Sequence, residues 1–298
     1  MNSPLSTADI RAILSWFDAN ERDLPWRRPG TSAWGVLLSE VMSQQTPVAR
    51  VAPQWEEWMR RWPTPADFAA ADKASVLRAW DRLGYPRRAL RLHAAAQAIR
   101  DEHGGVVPDD VDELLALPGI GDYTARAVAC FAFGRNVPVV DTNVRRVHAR
   151  AVTGVFLQPA ASRKELAQVA PLLDAAGARG PRLSAALMEL GALVCTAKNP
   201  DCGVCPLKAS CAWQRAGCPQ PSADEAAQAK RRGQKIEGTD RQVRGKIMAV
   251  LRAAEAPVAQ ADIDAIWPDA AQRSRALYSL LEDGLAEQDD DGRFSLPR

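Results

Sequence analysis

Four cysteines crowd one short stretch of the chain: Cys195, Cys202, Cys205 and Cys211, in the spacing C-x6-C-x2-C-x5-C. Thiolates this close in sequence can converge on one centre, and an iron–sulfur cluster or a zinc ion would satisfy them. A reducing compartment disfavours disulfides among them. Structural zinc more often draws on two short Cys knuckles far apart, so the single compact loop favours a cubane cluster. Cys130 lies on an apolar helical stretch and reads as a core residue; Cys218 falls outside the spacing. Upstream, Asp112–Ala125 reads DELLALPGIGDYTA. This predicts a short helix ending at Leu117, a turn set by Pro118 and eased by Gly119 and Gly121, and a second helix from Asp122. N–H groups of such a turn and helix start can hold a phosphate without reading sequence, although an ordinary helical hairpin has the same pattern. Asp141, in VVDTNV, follows an apolar connector and opens the next helix. It is an N-cap, a carboxylate placed for chemistry, or both.

The elements around these residues are helical. Ile10, Ile13, Leu14 and Phe17 repeat at helical spacing behind Ser6-Thr7-Ala8-Asp9, a capping-box pattern. Similar periods recur near 34–45, 48–62, 74–83, 86–102, 122–133, 141–153, 161–175 and 181–195, which predicts an all-α body over residues 1–215. Residues 216–238 read as a linker. Beyond it, 239–298 predicts three helices, over 241–254, 259–267 and 271–285, and a hairpin centred on Asp291-Gly292. That order describes a small winged-helix-like domain. Two domains suit a chain of 298 residues with 47% hydrophobic and 25% charged residues.

Thirty-eight basic and 36 acidic residues leave a net charge of +2, which alone selects no partner. Arginines cluster at 87, 88, 91, 126, 135, 145, 146 and 150, and Lys230, Arg231, Arg232, Lys235, Arg241 and Arg244 follow. A basic face on a neutral protein fits a polyanion. Ala127–Gly134, the longest uncharged apolar run near the middle, is far short of the ~20 residues of a membrane helix. The N-terminus lacks a basic start followed by an apolar stretch. Membrane and exported classes are therefore not expected.

LPGIG (117–121), VVDTNV (139–144) and the cysteine spacing occur in that order, and together they resemble the helix-hairpin-helix DNA glycosylase superfamily that includes endonuclease III. Leu24-Pro-Trp-Arg27 and LSEVMSQQT (38–46), with LGY (83–85) and MELG (188–191), are similar to the adenine DNA glycosylase (MutY) family within it. The likeness covers about residues 8–215. It implies a helix-hairpin-helix body with a [4Fe-4S] cluster on Cys195, Cys202, Cys205 and Cys211. It further implies a cytoplasmic, nucleoid-associated monomer acting on double-stranded DNA that holds A:8-oxoguanine or A:G mispairs.

The chemistry of that reaction suits the residues present. Adenine leaves deoxyribose only after a ring nitrogen is protonated, and Glu40, on an otherwise apolar helical segment, is a candidate acid. Departure leaves an oxocarbenium-like sugar that a second carboxylate, Asp141, can stabilise. The resemblance implies the same two assignments and adds Tyr123 as support for Asp141. It also implies Trp26, Arg27 and Glu189 around the flipped adenine, Gln45 and Thr46 toward the opposite strand, and Gly119 and Gly121 on the DNA backbone. Lyase relatives carry a lysine where Tyr123 stands, and this chain has none between Lys73 and Lys164, so a monofunctional glycosylase is expected. Three departures stand out: Ser43 for the usual leucine, Thr142 for the usual glycine, and residues 239–298 where a Nudix-like reader of 8-oxoguanine is usual. From these we expect a narrower preference between 8-oxoguanine and guanine. The C-terminal segment, with Arg241, Arg244 and Lys246 on its first helix, should add mainly salt-sensitive backbone affinity. The alternatives are a thymine or uracil mismatch glycosylase and a non-catalytic iron–sulfur DNA-binding regulator.

Overall fold

Ser6 and Asp9 bond reciprocally at the start of the first helix, the hydroxyl to the Asp9 N–H and the carboxylate to the Ser6 N–H. Thr64 with Asp67 repeats the device, and Asp72, Asp141 and Asp269 each cap a later helix. These caps satisfy N–H groups that a helix start leaves open, which is why the helices begin where they do. In the computed structural model, which describes residues 5–162, 164–231 and 236–298, the chain runs through α1 (Thr7–Asn20), α2 (Ala33–Met42), α3 (Val48–Arg61), α4 (Pro65–Ala69), α5 (Lys73–Trp80) and α6 (Arg87–Glu102). Then follow α7 (Val111–Ala116), α8 (Asp122–Phe133), α9 (Thr142–His148), α10 (Lys164–Ala176), α11 (Gly180–Leu193), α12 (Ala212–Arg215) and α13 (Ala223–Arg231). The C-terminal segment holds α14 (Asp240–Ala253), α15 (Gln260–Asp264), α16 (Ala270–Glu282), β1 (Glu287–Gln288) and β2 (Phe294–Ser295). The fold is all-α apart from that hairpin. No described helix is long and apolar enough to cross a membrane. The stretch expected as a linker contains α13. Arg232 and Lys235 of the basic run, and the first four residues of the N-terminal reading, lie outside the described residues.

Two compact units emerge. One comprises residues 1–33, 109–111 and 121–232, the other 34–108, 112–120 and 233–298. The first is built on the apolar face of α1 (Ile10, Ile13, Leu14, Phe17) packed with Val144 and Val147 of α9, Leu172 of α10 and Leu183, Leu187 and Leu190 of α11. α9 and α11 approach closely at Gly191, where a Cβ would stand 2.6 Å from that of Asn143. The second unit centres on aromatic rings. Trp34, Trp58, Trp62 and Trp80 surround Phe68 and one another with centroids 5.0–5.6 Å apart, tilted or edge-on as ring quadrupoles favour. Their buried indole N–H groups find carbonyls: Trp34 donates to Trp62, Trp58 to Ala79 and Trp80 to Gly84. The C-terminal segment belongs to this unit. Its hairpin turns at Gly292 (φ 76°), and Val258 adds a bridge to Phe294 that periodicity does not reveal.

Candidate functional site

Asp141 is the N-cap of α9. Its Oδ1 accepts the Val144 N–H at 2.7 Å, and its Oδ2 accepts Asn143 Nδ2 at 2.7 Å. Its side chain is half-buried, and burial pushes its carboxyl above the ordinary aspartate value despite these bonds. A surface cap has no need of such a setting. The support continues inward: Asn143 Oδ1 accepts Arg146 Nη2 at 2.7 Å, and Arg146 also donates to the carbonyls of Gly191 (2.6 Å) and Cys195 (2.7 Å). An unbroken chain of hydrogen bonds thus joins Asp141 to the first cysteine of the loop. Thr142 is exposed and its hydroxyl accepts from Gln158, so the threonine is accommodated without strain. Tyr123, half-buried in the first turn of α8, packs against Ala127, Cys130 and Val139. Cys130 is buried there, in the core as its apolar helix predicts.

The four loop cysteines lie against the first unit's core, Cys211 buried and the others half-buried. Burial pushes the Cys205 thiol up to about 11, and the Cys202 and Cys211 thiols up as well, with neighbouring sulfurs adding to the effect. Four such sulfurs hold negative charge together only around cationic iron or zinc, whose binding displaces their protons. Four thiols from one loop, near enough to act on one another, suit a cluster ligated at its corners. Arg150 supplies the charge beside them. It is 2% exposed, its Nη1 lies 3.5 Å from Cys195 Sγ, and it donates to the carbonyls of Phe156, Thr196 and Ala197. The donor set fits an iron–sulfur cluster.

Arg27 and Glu189, expected near the base, are brought together. Glu189 is buried and takes Arg22 Nε at 2.7 Å, Arg22 Nη2 at 2.9 Å and Arg27 Nη2 at 3.0 Å. Burial would raise its carboxyl, but the hydrogen bonds from Arg22 and Arg27 hold it at about 2. Arg27 Nη1 is buried with no acceptor among the described residues. Trp26 is half-buried in the single 3-10 turn Pro25–Arg27. Arg22 escaped the sequence reading; it stands just before the LPWR motif, and only the fold closes the 167-residue separation from Glu189.

In the second unit, Glu40 is half-buried on α2. The turn after α2 is held by Arg88, which donates Nη1 to the carbonyls of Val41 and Gln44 (both 2.7 Å) and Nη2 to those of Leu83 (2.9 Å) and Gly84 (3.0 Å). Burial lowers this guanidinium to about 10. Thr46 is buried, its hydroxyl donating to Leu83 O at 3.0 Å and accepting from Arg88. Its side chain therefore locks the loop, while Gln45 is exposed at φ 55°, a costly conformation for a non-glycine residue.

The predicted hairpin is present, with Ile120 N–H bonded to Leu117 O and α8 starting after Gly121. Gly119 is required twice over: its φ is +75°, and a Cβ would stand 2.6 Å from that of Arg91. Gly121 differs from expectation. Its φ of −97° suits any residue, and nothing lies within 4 Å of where its Cβ would be. What glycine leaves there is open space before the first N–H groups of α8. Much of the expected basic cluster is either buried or paired with acidic side chains. Arg146 and Arg150 are buried; Arg145 pairs with Glu165, Arg126 with Asp122, Arg135 with Asp109 and Arg87 with Asp283.

Residues 38–168 match the family described as HhH-GPD superfamily base excision DNA repair protein, and residues 195–211 match the iron-sulfur binding domain of endonuclease III. The adenine DNA glycosylase of Mycolicibacterium smegmatis is 59% identical over 285 residues, 95% of this chain and 94% of that protein. Among solved structures, a thermostable thymine-DNA glycosylase superposes with a TM-score of 0.62 at 26% identity, over 70% of this chain and 95% of that one. A trapped endonuclease III–DNA covalent intermediate gives 0.60 at 25% identity, over 72% of this chain and 100% of the other.

Proposed function

The chain belongs to the adenine DNA glycosylase family of the helix-hairpin-helix base excision repair superfamily, and from that premise we propose that it removes adenine mispaired with 8-oxoguanine or guanine, without cleaving the strand. It is a base excision repair DNA glycosylase with an iron–sulfur cluster held by Cys195, Cys202, Cys205 and Cys211. One observation carries the substrate: likeness at 59% identity to an adenine DNA glycosylase over nearly the full length of both chains.

In this reading Glu40 gives a proton to a ring nitrogen of adenine. The N-glycosidic bond breaks, its electron pair leaving with the base. Asp141, ionised, stabilises the cationic sugar left behind, and Tyr123 supports it. Water then adds to the sugar carbon and gives its proton to the Glu40 carboxylate, which restores the acid. Support for Asp141 comes from its fixed orientation: both carboxylate oxygens are bonded, and Arg146 holds Asn143 in place. Arg27, its guanidinium held by Glu189, and Trp26 on the same 3-10 turn meet the flipped base. Gln45 reaches the opposite strand while Thr46 stiffens its turn. Gly119 shapes the hairpin and Gly121 leaves its N–H groups open to a phosphate. The cluster loop orders the backbone that accepts from Arg146 and Arg150. We further infer that residues 239–298 form a winged-helix-like module, and that the protein works as a monomer on cytoplasmic, nucleoid DNA.

The test is single-turnover excision on A:8-oxoguanine, A:G and T:G duplexes, with product strands examined before and after alkali. Adenine released from the first two, with strands intact until alkali, is expected. Thymine released from T:G with adenine untouched would overturn the reading in favour of a thymine mismatch glycosylase.

A further inference from the structure

Cys218 lies outside the spacing of the four cluster cysteines, yet the fold returns it to them. α12 follows Cys211 directly, and beyond its cap the chain turns back through Gly217 and Cys218, both left-handed at φ 79° and 59°. Glycine takes that state freely and cysteine does not. Hydrogen bonds to α12 hold the turn. Gly217 N–H donates to Gln214 O and Cys218 N–H to Trp213 O, both at 3.0 Å, and Trp213 Nε1 donates to Pro219 O at 2.9 Å.

The turn delivers a fifth thiol to the four already gathered. Cys218 is half-buried, in no disulfide, and packs on the same core as Cys195, Cys202 and Cys205. Gln214, whose carbonyl accepts from Gly217, hydrogen-bonds the Cys202 sulfur through its side chain. One residue therefore ties Cys202 to the turn that carries Cys218. Burial pushes the thiols of Cys202 and Cys211 up, and the charge of the nearby Cys218 sulfur adds to both. Of these two, Cys211 is buried, whereas Cys202 is only half-buried and within reach of solvent.

We propose that Cys218 is a reserve ligand for the iron–sulfur cluster, taking the iron that Cys202 holds when that bond is lost. Oxidation is one way to lose it. A peroxide passes one oxygen atom to the Cys202 thiolate, giving a sulfenate and water; the sulfur is oxidised by two electrons and the peroxide is reduced. The Cys218 thiol then binds the freed iron through its sulfur and yields its proton to water. A tethered thiol competes well for such a corner, because it acts at the high effective concentration of an intramolecular ligand. The inference depends on the cluster and not on which base is excised.

The experiment compares the holoprotein with Cys218→Ser, Cys202→Ala and the double variant for bound iron, acid-labile sulfide and alkylation of Cys218 by iodoacetamide. Cys218→Ser should match wild type in iron and sulfide. Cys202→Ala should keep about fivefold more iron than the double variant, with Cys218 shielded from alkylation until the iron is chelated. Wild type and Cys218→Ser are also exposed to hydrogen peroxide, a comparison that leaves all four loop cysteines in place. There Cys218→Ser should release iron about fivefold faster. The proposal is overturned by equal iron in folded Cys202→Ala and the double variant, or by a reactive Cys218 in iron-loaded Cys202→Ala. Loss of iron from Cys218→Ser before any oxidant, or equal release under peroxide, overturns it as well. If Cys202→Ala fails to fold, the peroxide comparison decides alone.

Discussion

Asp141→Asn isolates a charge from the scaffold that carries it. Asparagine caps helices as well as aspartate, so the bond from the Val144 N–H survives. The bond at the other oxygen does not, since an amide NH2 there would face the NH2 of Asn143. Asn143 cannot turn over to help, because its Oδ1 is taken by Arg146 at 2.7 Å. That loss costs about 1–2 kcal/mol. Removing the charge offsets it. Burial raises the carboxyl of Asp141, so the folded state holds the proton more tightly than the unfolded one. Folded stability is then highest below the ordinary aspartate pKa and falls as pH rises through the raised value. The asparagine variant lacks that fall. The two effects nearly cancel, and calorimetry at neutral pH should find the variant within about 1 kcal/mol of wild type. Excision should drop by about 10²–10³-fold or more, because a neutral amide cannot oppose the sugar cation. Wild-type excision should also decline on acidification at a pH above the ordinary aspartate range, as Asp141 protonates. Single-turnover rates and melting curves on one preparation measure both. A variant within tenfold of wild-type excision, or one inactive only because it has unfolded, would refute the reasoning.

The hairpin glycines should separate. Gly119→Ala forces a Cβ onto Arg91 at positive φ and should cost about 1–3 kcal/mol in urea unfolding, whereas Gly121→Ala should fold normally yet weaken duplex binding; equal destabilisation would refute this. Arg146→Gln leaves the Cys195 and Gly191 carbonyls and Asn143 without their donor, so a loss of about 3 kcal/mol should come with reduced iron content and slower excision, and wild-type iron and melting would contradict it. Borohydride should trap no protein–DNA adduct in good yield, because Tyr123 has no amine to form a Schiff base; efficient trapping would overturn the monofunctional reading.

Much of this protein was legible from local order along the chain. Helix periods and caps depend on neighbours three or four residues away, so α1, with its Ser6–Asp9 box, and α8 after the LPGIG turn follow from sequence alone. The cysteine spacing is likewise local, and it predicts the loop that the endonuclease III iron–sulfur match covers. What sequence cannot show is which charge meets which. Arg145 reads as part of a basic face, yet Glu165, twenty residues on, takes it; Arg150 reads the same way and lies buried against Cys195. Arg22 and Arg27 reach Glu189 across more than 160 residues, and no periodicity encodes a pairing that exists only once α11 has packed. Gly121 reads as a conformational glycine, but its backbone is ordinary, and its reason lies in the space before α8. Arg241 reads as one more basic residue on a helix face. Its place over the Tyr85 ring exists only because the C-terminal segment folds against α5 and the turn after it, a choice made by burial and ion pairing in three dimensions.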